Sequence, residues 1–154
     1  QDFTIECRVR TSSSGDVSIV GNKDWFSGNN PGVVFSFKYP AGPEWKVNIG
    51  DGTNRADINT GGLIADNQWH TLSVSFDRDG YMKMYENGQL LVKGTYKNGK
   101  QHGDSVAYWE HGPLMSKGKY INDKKEGRHF MYYTNGTLWK KHSGVFKNGK
   151  KITD

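Results

Sequence analysis

Apolar side chains recur at every second position in much of this sequence, and this alternation restricts what the chain can fold into. It is clearest in two segments, 3–9 and 70–76. A period of two places successive side chains on opposite faces of a strand, whereas an amphipathic helix needs apolar residues three and four positions apart. That helical spacing is not sustained over three turns anywhere in the sequence. We therefore predict an all-β protein.

Turn residues separate the apolar segments at short intervals. We predict a buried strand at 33–37, an alternating strand at 45–49, and a hairpin at Asn87 and Gly88, because Asn-Gly accommodates the positive φ angles of a type I′ turn. Strands spaced in this way are typical of an antiparallel sandwich. Only 34% of the residues are hydrophobic, so the five Trp, eight Tyr and seven Phe must supply much of the buried area.

The second half of the sequence contains an internal repeat and a different charge balance. Units with the pattern Gly-x-aromatic-x-Asn-Gly/Asp-Lys begin at Gly94, Gly118 and Gly144, so the period is 24 and then 26 residues. Each unit predicts one β-hairpin, and stacked hairpins stabilise one another. Residues 1–93 hold nine Lys/Arg and eleven Asp/Glu, a charge of −2, whereas residues 94–154 hold twelve and five, a charge of +7. We predict a boundary between these two parts.

Six motifs in the first part resemble those of laminin G-like, concanavalin A-like domains. They are Asp2-Phe-Thr-Ile-Glu6, Gly21-Asn-Lys-Asp-Trp25, Ser27-Gly-Asn-Asn-Pro-Gly32, Trp45-Lys-Val-Asn-Ile-Gly-Asp-Gly52, Asp66-Asn-Gln-Trp-His70, and Phe76-Asp-Arg-Asp-Gly80 continuing through Tyr85-Glu-Asn-Gly88. The resemblance implies an antiparallel jelly-roll sandwich over residues 1–93. The Tyr-x-Asn-Gly-Lys-x-x-Gly units of residues 94–154 resemble MORN repeats, which implies β-hairpins.

The sandwich pattern is incomplete at both ends. The resemblance implies a strand before Asp2 and closing strands after the hairpin at Asn87, and the sequence shows neither. Two arrangements follow: the repeat hairpins complete the sheet, or the sandwich keeps an open edge that invites pairing with another chain. In the second arrangement the protein would be a structural or assembly subunit that self-associates through its sheet edges and hairpin repeats. Such a subunit could be a natural fusion or an engineered chimera. Because the chain opens on Gln1, directly before a strand, we interpret it as a piece of a secreted or surface protein, extracellular or periplasmic.

Sequence motifs for catalysis are missing. The paired-carboxylate strand of concanavalin-like glucanases is absent, as are Gly-x-Ser-x-Gly, His-Glu-x-x-His and a phosphate loop. We interpret Asp77 and Asp79 as turn formers and His70 as a packed core residue. Cys7, the single cysteine, has apolar neighbours at period two and is interpreted as a buried structural thiol. We therefore expect a protein that is not an enzyme.

Two loops contain the candidate ligand-binding residues. The resemblance implies calcium at a rim, and Ca²⁺ prefers oxygen ligands of the kind offered by Asp24, Asp51, Asn54 and Asp57, although the same residues are also common turn formers. The candidate residues for carbohydrate are Trp25, Phe26, Asn29 and Asn30, with Trp25 alternatively a packed residue. Trp45 and Trp69 are predicted to lie in the core.

Lysines recur beside the predicted hairpin turns. The candidate anion-binding patch is Lys97, Lys100, Lys124, Lys125, Lys147 and Lys150. The alternative is that these lysines serve solubility and protect sheet edges. No nucleic-acid-binding motif accompanies the charge, and no apolar run approaches the ~20 residues of a membrane span. We expect a non-catalytic binding module. Its expected partner is a carbohydrate, either a free glycan or one on a cell surface or in the matrix, or a cell-surface or matrix protein, with calcium assisting the binding.

Overall fold

A computed structural model describes residues 2–13, 15, 17–37, 44–59, 61–77 and 80–154. The strands are β1 (Phe3–Arg10), β2 (Val17–Gly21), β3 (Gly32–Phe37), β4 (Trp45–Gly50), β5 (Arg55–Ile58), β6 (Trp69–Phe76), β7 (Met82–Glu86), β8 (Gln89–Lys97), β9 (Lys100–Tyr108), β10 (Leu114–Ile121), β11 (Lys124–Met131), β12 (Gly144–Lys147) and β13 (Lys150–Thr153). A single 3₁₀ turn, Lys140–His142, is the one helical element in these ranges. The all-β prediction is confirmed. Gln1, on which the interpretation as a piece of a longer protein is based, and Asp79, a predicted turn former, lie outside the described residues.

The strands form two antiparallel sheets. One sheet has nine strands in the order β1-β6-β7-β8-β9-β10-β11-β12-β13, and the other has four in the order β2-β3-β4-β5. The alternating apolar residues of the two sheets meet in one buried core. Its members are Phe35, Phe37, Trp45, Val47, Ile58, Ile64, Leu72, Val74, Met82, Met84, Leu91, Val92 and Ala107. This arrangement is consistent with a concanavalin A-like sandwich.

The nine-stranded sheet continues without interruption from the sandwich into the repeat region. Strand β8 crosses the predicted boundary, since it contains both Lys93 and Gly94. It pairs with β7 on one side and with β9 on the other. The large core ends at Ala107 in β9, with Met115 packed at its border. Strands β11 to β13 therefore extend the sheet beyond the part that the four-stranded sheet covers.

A small aromatic cluster packs on one face of this extension. The His129 ring meets Tyr120 edge-on at 5.0 Å between centroids and Phe146 at 5.5 Å. The buried imidazole also donates from Nε2 to the Lys119 carbonyl oxygen at 2.6 Å. Because Gly118 has no side chain, the imidazole can lie directly over its backbone. The extension thus has its own small buried centre.

Two tryptophans that were predicted to lie in the core differ in their burial. Trp45 lies in the core as predicted, but Trp69 is 58% exposed and the prediction for it is wrong. The alternation itself explains this, because Leu72 points inward and Trp69, an odd number of positions away, must point outward. The Arg8 guanidinium covers part of the indole at 5.2 Å. Cys7 is half-buried against the core, and burial raises the pKa of its thiol.

His70 is buried, as predicted, and both ring nitrogens have partners. Nε2 lies 2.9 Å from Oδ1 of Asp66, and Nδ1 lies 3.3 Å from Oε1 of the buried Glu86. The other oxygen of Glu86 accepts hydrogen bonds from Trp45 Nε1 at 2.9 Å and from the Gly62 amide at 3.1 Å. The network ties the segment before β6 to the core.

Candidate functional site

Two loops that are distant in sequence meet at one end of the sandwich. The amide of Gly52 donates to the Asn29 carbonyl oxygen at 2.8 Å. The Asn29 side chain in turn donates from Nδ2 to the Thr53 carbonyl oxygen at 2.7 Å. The loop after β2 and the loop between β4 and β5 therefore form one joined rim.

The first repeat hairpin reaches the same rim. Its turn residues, Asn98 and Gly99, have φ angles of +51° and +72°, the left-handed values of a type I′ turn. A Cβ atom at Gly99 would overlap the backbone carbonyl of Arg55 in β5. The positive φ favours glycine at this position and the contact with Arg55 requires it, and this close approach brings the hairpin against the four-stranded sheet.

A polar cavity of about 440 Å³ lies where the rim and the hairpin meet. We call it the rim cavity, and its lining residues are Asn29, Thr53, Asn54, Arg55, Asp57, Tyr96, Asn98, Gly99, Lys100 and Asp123. Amide, guanidinium, ammonium and carboxylate groups all occur in this lining. Burial raises the pKa of the Tyr96 phenol to about 12. The cavity offers both donors and acceptors to a ligand.

A larger cleft of about 820 Å³, lined by apolar and polar residues, opens beside the rim cavity, between the two sheets. We call it the inter-sheet cleft. The apolar side chains that line it include Phe3, Ile5, Phe76 and Met82 of the nine-stranded sheet and Val33, Ile49 and Ile58 of the four-stranded sheet. Asn54, Tyr96, Asn98 and Gly99 line both spaces. A ligand in the rim cavity therefore has an apolar surface next to it.

The predicted metal-binding carboxylates are engaged in local hydrogen bonds. Asp51 Oδ1 accepts from the amides of Asn54 at 2.6 Å and Thr53 at 2.8 Å, and these bonds hold the pKa of Asp51 below its usual range. Asp57 pairs with Arg55 Nε at 3.0 Å, and Asp24 accepts from the Phe26 amide at 3.2 Å. Within the described ranges, no group of three His, Cys, Asp or Glu side chains could hold a metal ion. The four predicted calcium ligands therefore include no cluster of three carboxylates, and calcium binding stays a prediction.

The four predicted carbohydrate residues lie on one loop but have different surroundings. Trp25 is only 7% exposed, so its ring does not offer a stacking face to a ligand. The Arg55 guanidinium lies 5.6 Å from that ring and donates from Nη1 to the Trp25 carbonyl oxygen at 3.0 Å. Phe26, by contrast, is 70% exposed. Asn29 lines the rim cavity, and Asn30 is exposed beside it on the same loop.

One family model, described as the concanavalin A-like lectin/glucanases superfamily, matches residues 1–113 in its laminin G-like form. The chain belongs to this superfamily. The matched residues extend from β1 to the end of β9, so they include the whole four-stranded sheet and the first repeat hairpin. No curated protein and no solved structure matched the chain. At the coarse level, membership indicates a laminin G-like binding module, while the MORN resemblance stays a prediction.

The lysines of the predicted anion patch divide into two groups in this laminin G-like protein. Lys97, Lys100, Lys124, Lys147 and Lys150 are exposed beside hairpin turns. Lys125 is half-buried, with its ammonium 4.9 Å from the Phe146 ring, and burial lowers its pKa. The prediction for Lys125 as a free anion-binding group is therefore not supported by its position.

Several residues of the site were not predicted from the sequence. Arg55, Tyr96, Asn98 and Asp123 all line the rim cavity. The repeated Asn-Gly and Asn-Asp turns were visible in the sequence, but their proximity to the sandwich loops was not. Among the described residues, no helix is long and apolar enough to cross a membrane.

Proposed function

We propose that this protein is a non-catalytic, extracellular or periplasmic binding module that recognises a glycan of a cell surface or matrix in its rim cavity. The observation that carries the proposal is the convergence of three asparagines, Asn29, Asn54 and Asn98, around one space. Its volume of about 440 Å³ is within the range of roughly 300–1,000 Å³ that is usual for ligand pockets.

The chemistry of the lining suits a ligand rich in hydroxyl groups. An amide side chain both donates and accepts hydrogen bonds, as a sugar hydroxyl does. The inter-sheet cleft next to the cavity offers a surface for the apolar face of a sugar ring. The exposed ring of Phe26, on the loop that contains Asn29, adds an aromatic contact surface at the same rim.

Replacement of one cavity amide tests the proposal. Glycine accepts the positive φ of Asn98, so Asn98→Gly removes the amide without straining the turn. The matched control is Asn148→Gly, the same change in the third hairpin away from the cavity, and both variants are measured with a short oligosaccharide that does not reach the third hairpin. Glycan-array binding followed by calorimetry with the bound oligosaccharide should show roughly two- to tenfold weaker binding for Asn98→Gly alone. Equal affinities of Asn98→Gly, Asn148→Gly and wild type would refute binding in the rim cavity.

Calcium at this rim is a separate part of the proposal. The ion would take oxygen ligands from Asp24, Asp51, Asn54 and Asp57, which would have to leave some of their present hydrogen bonds. Thermal unfolding in chelator and then in excess Ca²⁺ tests this. Calcium at about a hundred times its Kd would add roughly 2.7 kcal/mol, a rise of several degrees in Tm. An unchanged Tm would assign these residues to turn formation alone.

A second candidate function is self-association through β13, one of the two edge strands of the nine-stranded sheet. All four of its residues are exposed, and Ile152 is 60% exposed. Exposed edge strands can pair with the edge of another copy. Light scattering over a concentration series should then show dimers that Ile152→Lys converts to monomers. A monomer at all concentrations would remove this candidate.

A further inference from the structure

Three hairpin turns project from the same end of the nine-stranded sheet. They connect β8 to β9, β10 to β11 and β12 to β13, and because these strand pairs are antiparallel neighbours in one sheet, the turns stand side by side. Exposed lysines flank each of them. We call this group the lysine row, and its members are Lys97, Lys100, Lys124, Lys147 and Lys150.

Hydrogen bonds between neighbouring turns fix the spacing of the lysine row. Asp123 Oδ1 accepts from the Gln101 amide at 2.7 Å, which joins the second turn to the first hairpin. The Gly149 amide donates to the Lys125 carbonyl oxygen at 3.0 Å, which joins the third turn to the second hairpin. Adjacent strands lie about 4.8 Å apart, so successive turns are separated by about 10 Å. The turns that bear the lysines are therefore held at a regular spacing.

The lysines of the lysine row are not held in ion pairs within the described part of the chain. Two carboxylates of the second hairpin accept hydrogen bonds from backbone amides: Asp123 accepts from Gln101, and Glu126 accepts from the Asn148 amide at 2.9 Å. Lys100, which belongs to the hairpin turn next to the sandwich, also lines the rim cavity.

We propose that the lysine row binds a linear acidic polysaccharide, which runs from the rim cavity along the three turns. This inference rests on the proposed function and adds the class of glycan and its path. A polysaccharide with an acidic group on alternate sugars presents charges at a regular repeat, as the row does. Long-range attraction along the row also steers such a chain toward the cavity.

Other polyanions fit the row less well. Single-stranded nucleic acid binding uses exposed aromatic faces for base stacking. The repeat aromatics Tyr96, Tyr120 and Phe146 are instead partly or fully buried on a face of the sheet. The row is also a single line at a sheet end, whereas a membrane surface would need a broad basic face.

Graded hyaluronan oligosaccharides, which have a carboxylate on alternate sugars, provide the test. The variant is Lys147→Gln/Lys150→Gln, at the turn farthest from the rim cavity. The control is Lys140→Gln/Lys141→Gln, which removes the same charge from exposed lysines of the 3₁₀ turn at the opposite end of the strands. We expect wild-type affinity to rise with oligosaccharide length and the variant to lose roughly three- to tenfold on long oligomers only. The control should match the wild type.

The salt dependence gives a second measurement. The affinity of the wild type for long hyaluronan should fall steeply as salt rises, and the variant should show a shallower slope. Equal losses in variant and control, or no gain with length, would overturn the inference. If a short oligosaccharide still binds and depends on Asn98, the proposed function survives that failure. Tighter binding to single-stranded DNA or to phosphatidylserine vesicles, lost in the same variant, would assign the row to those partners instead.

Discussion

Gly118 and His129 show how a single missing side chain makes room for a buried group. A Cβ atom at Gly118 would overlap the imidazole Nδ1 of His129. In the preceding repeat the corresponding pair is Gly94 and Ser105, where a Cβ atom would lie 3.4 Å from the serine oxygen. The second repeat thus accommodates a ring where the first has a hydroxyl.

We predict that Gly118→Ala lowers the free energy of unfolding by about 1–3 kcal/mol, because the methyl group displaces the imidazole. The same change in a His129→Ser background should cost much less, since serine leaves the space that Ser105 leaves in the first repeat. Urea unfolding of the four proteins of this double-mutant cycle measures the difference. Additive effects would show that the ring is not the obstacle.

His129 should also make the stability depend on pH. Burial lowers the pKa of His129, the nearby Lys125 charge lowers it further, and the hydrogen bond to the Lys119 carbonyl opposes them. The folded state therefore prefers the neutral ring, whose contribution is complete above the ordinary pKa of about 6.5 and is lost as the pH falls through the lowered value. Urea midpoints at pH 8 and pH 5 should differ more for the wild type than for His129→Ser. Equal differences would contradict this, since the other four histidines are present in both proteins.

At the scale of the element, the three repeat turns have the same local geometry but different surroundings. Both central residues of each turn have positive φ, with Asn98 and Asn148 at +51° and +52°. Gly99 contacts the backbone of β5, whereas the nearest group to a Cβ at Gly149 is the Lys124 side chain at 3.7 Å. Substitution of Gly149 therefore tests the strain of the turn alone, whereas substitution of Gly99 tests that strain together with the contact to the sandwich.

Gly149→Ala should cost about 1–2 kcal/mol of stability, the usual penalty for a left-handed alanine. Gly99→Ala should cost at least about 1 kcal/mol more, because its methyl group also pushes the hairpin away from Arg55. Thermal or urea unfolding gives both values. Similar losses in the two variants would mean that the hairpin does not rest against the four-stranded sheet.

The strands and turns were predictable from sequence because their signals are local. Alternation at 70–76 and the Asn-Gly pairs depend on neighbouring residues alone. The rim cavity depends on contacts between residues far apart, such as Arg55 with Trp25 and with Gly99, and alternation does not encode these. Trp25 shows the limit, because the guanidinium that lies over its ring and binds its carbonyl oxygen comes thirty positions later in the chain.

At the scale of the whole molecule, one sheet serves two differently built regions. Strands β6 to β8 pack against the four-stranded sheet in the large core. Strands β11 to β13 lie beyond that core, and β13 has neighbours on one side only. The same backbone ladder is thus deeply covered at its centre and thinly covered at one end.

Amide hydrogen exchange should therefore show a gradient along the sheet. Protection should be highest in β6, β7 and β8 and should decline through β11 to β13, because local opening needs less free energy where few apolar contacts are broken. Mass spectrometry of exchanged peptides measures this profile. Protection in β12 and β13 equal to that in β7 would show that the extension unfolds only together with the sandwich.

The continuous sheet has a consequence for how such proteins change length. Each repeat hairpin pairs only with its immediate neighbours in the sheet, so a further copy added next to β13 would disturb neither the rim nor the core. Gene duplication of one unit would lengthen the sheet by two strands and add one more turn with its lysines. The length of the sheet could thus evolve in steps of one whole hairpin while the sandwich stays unchanged.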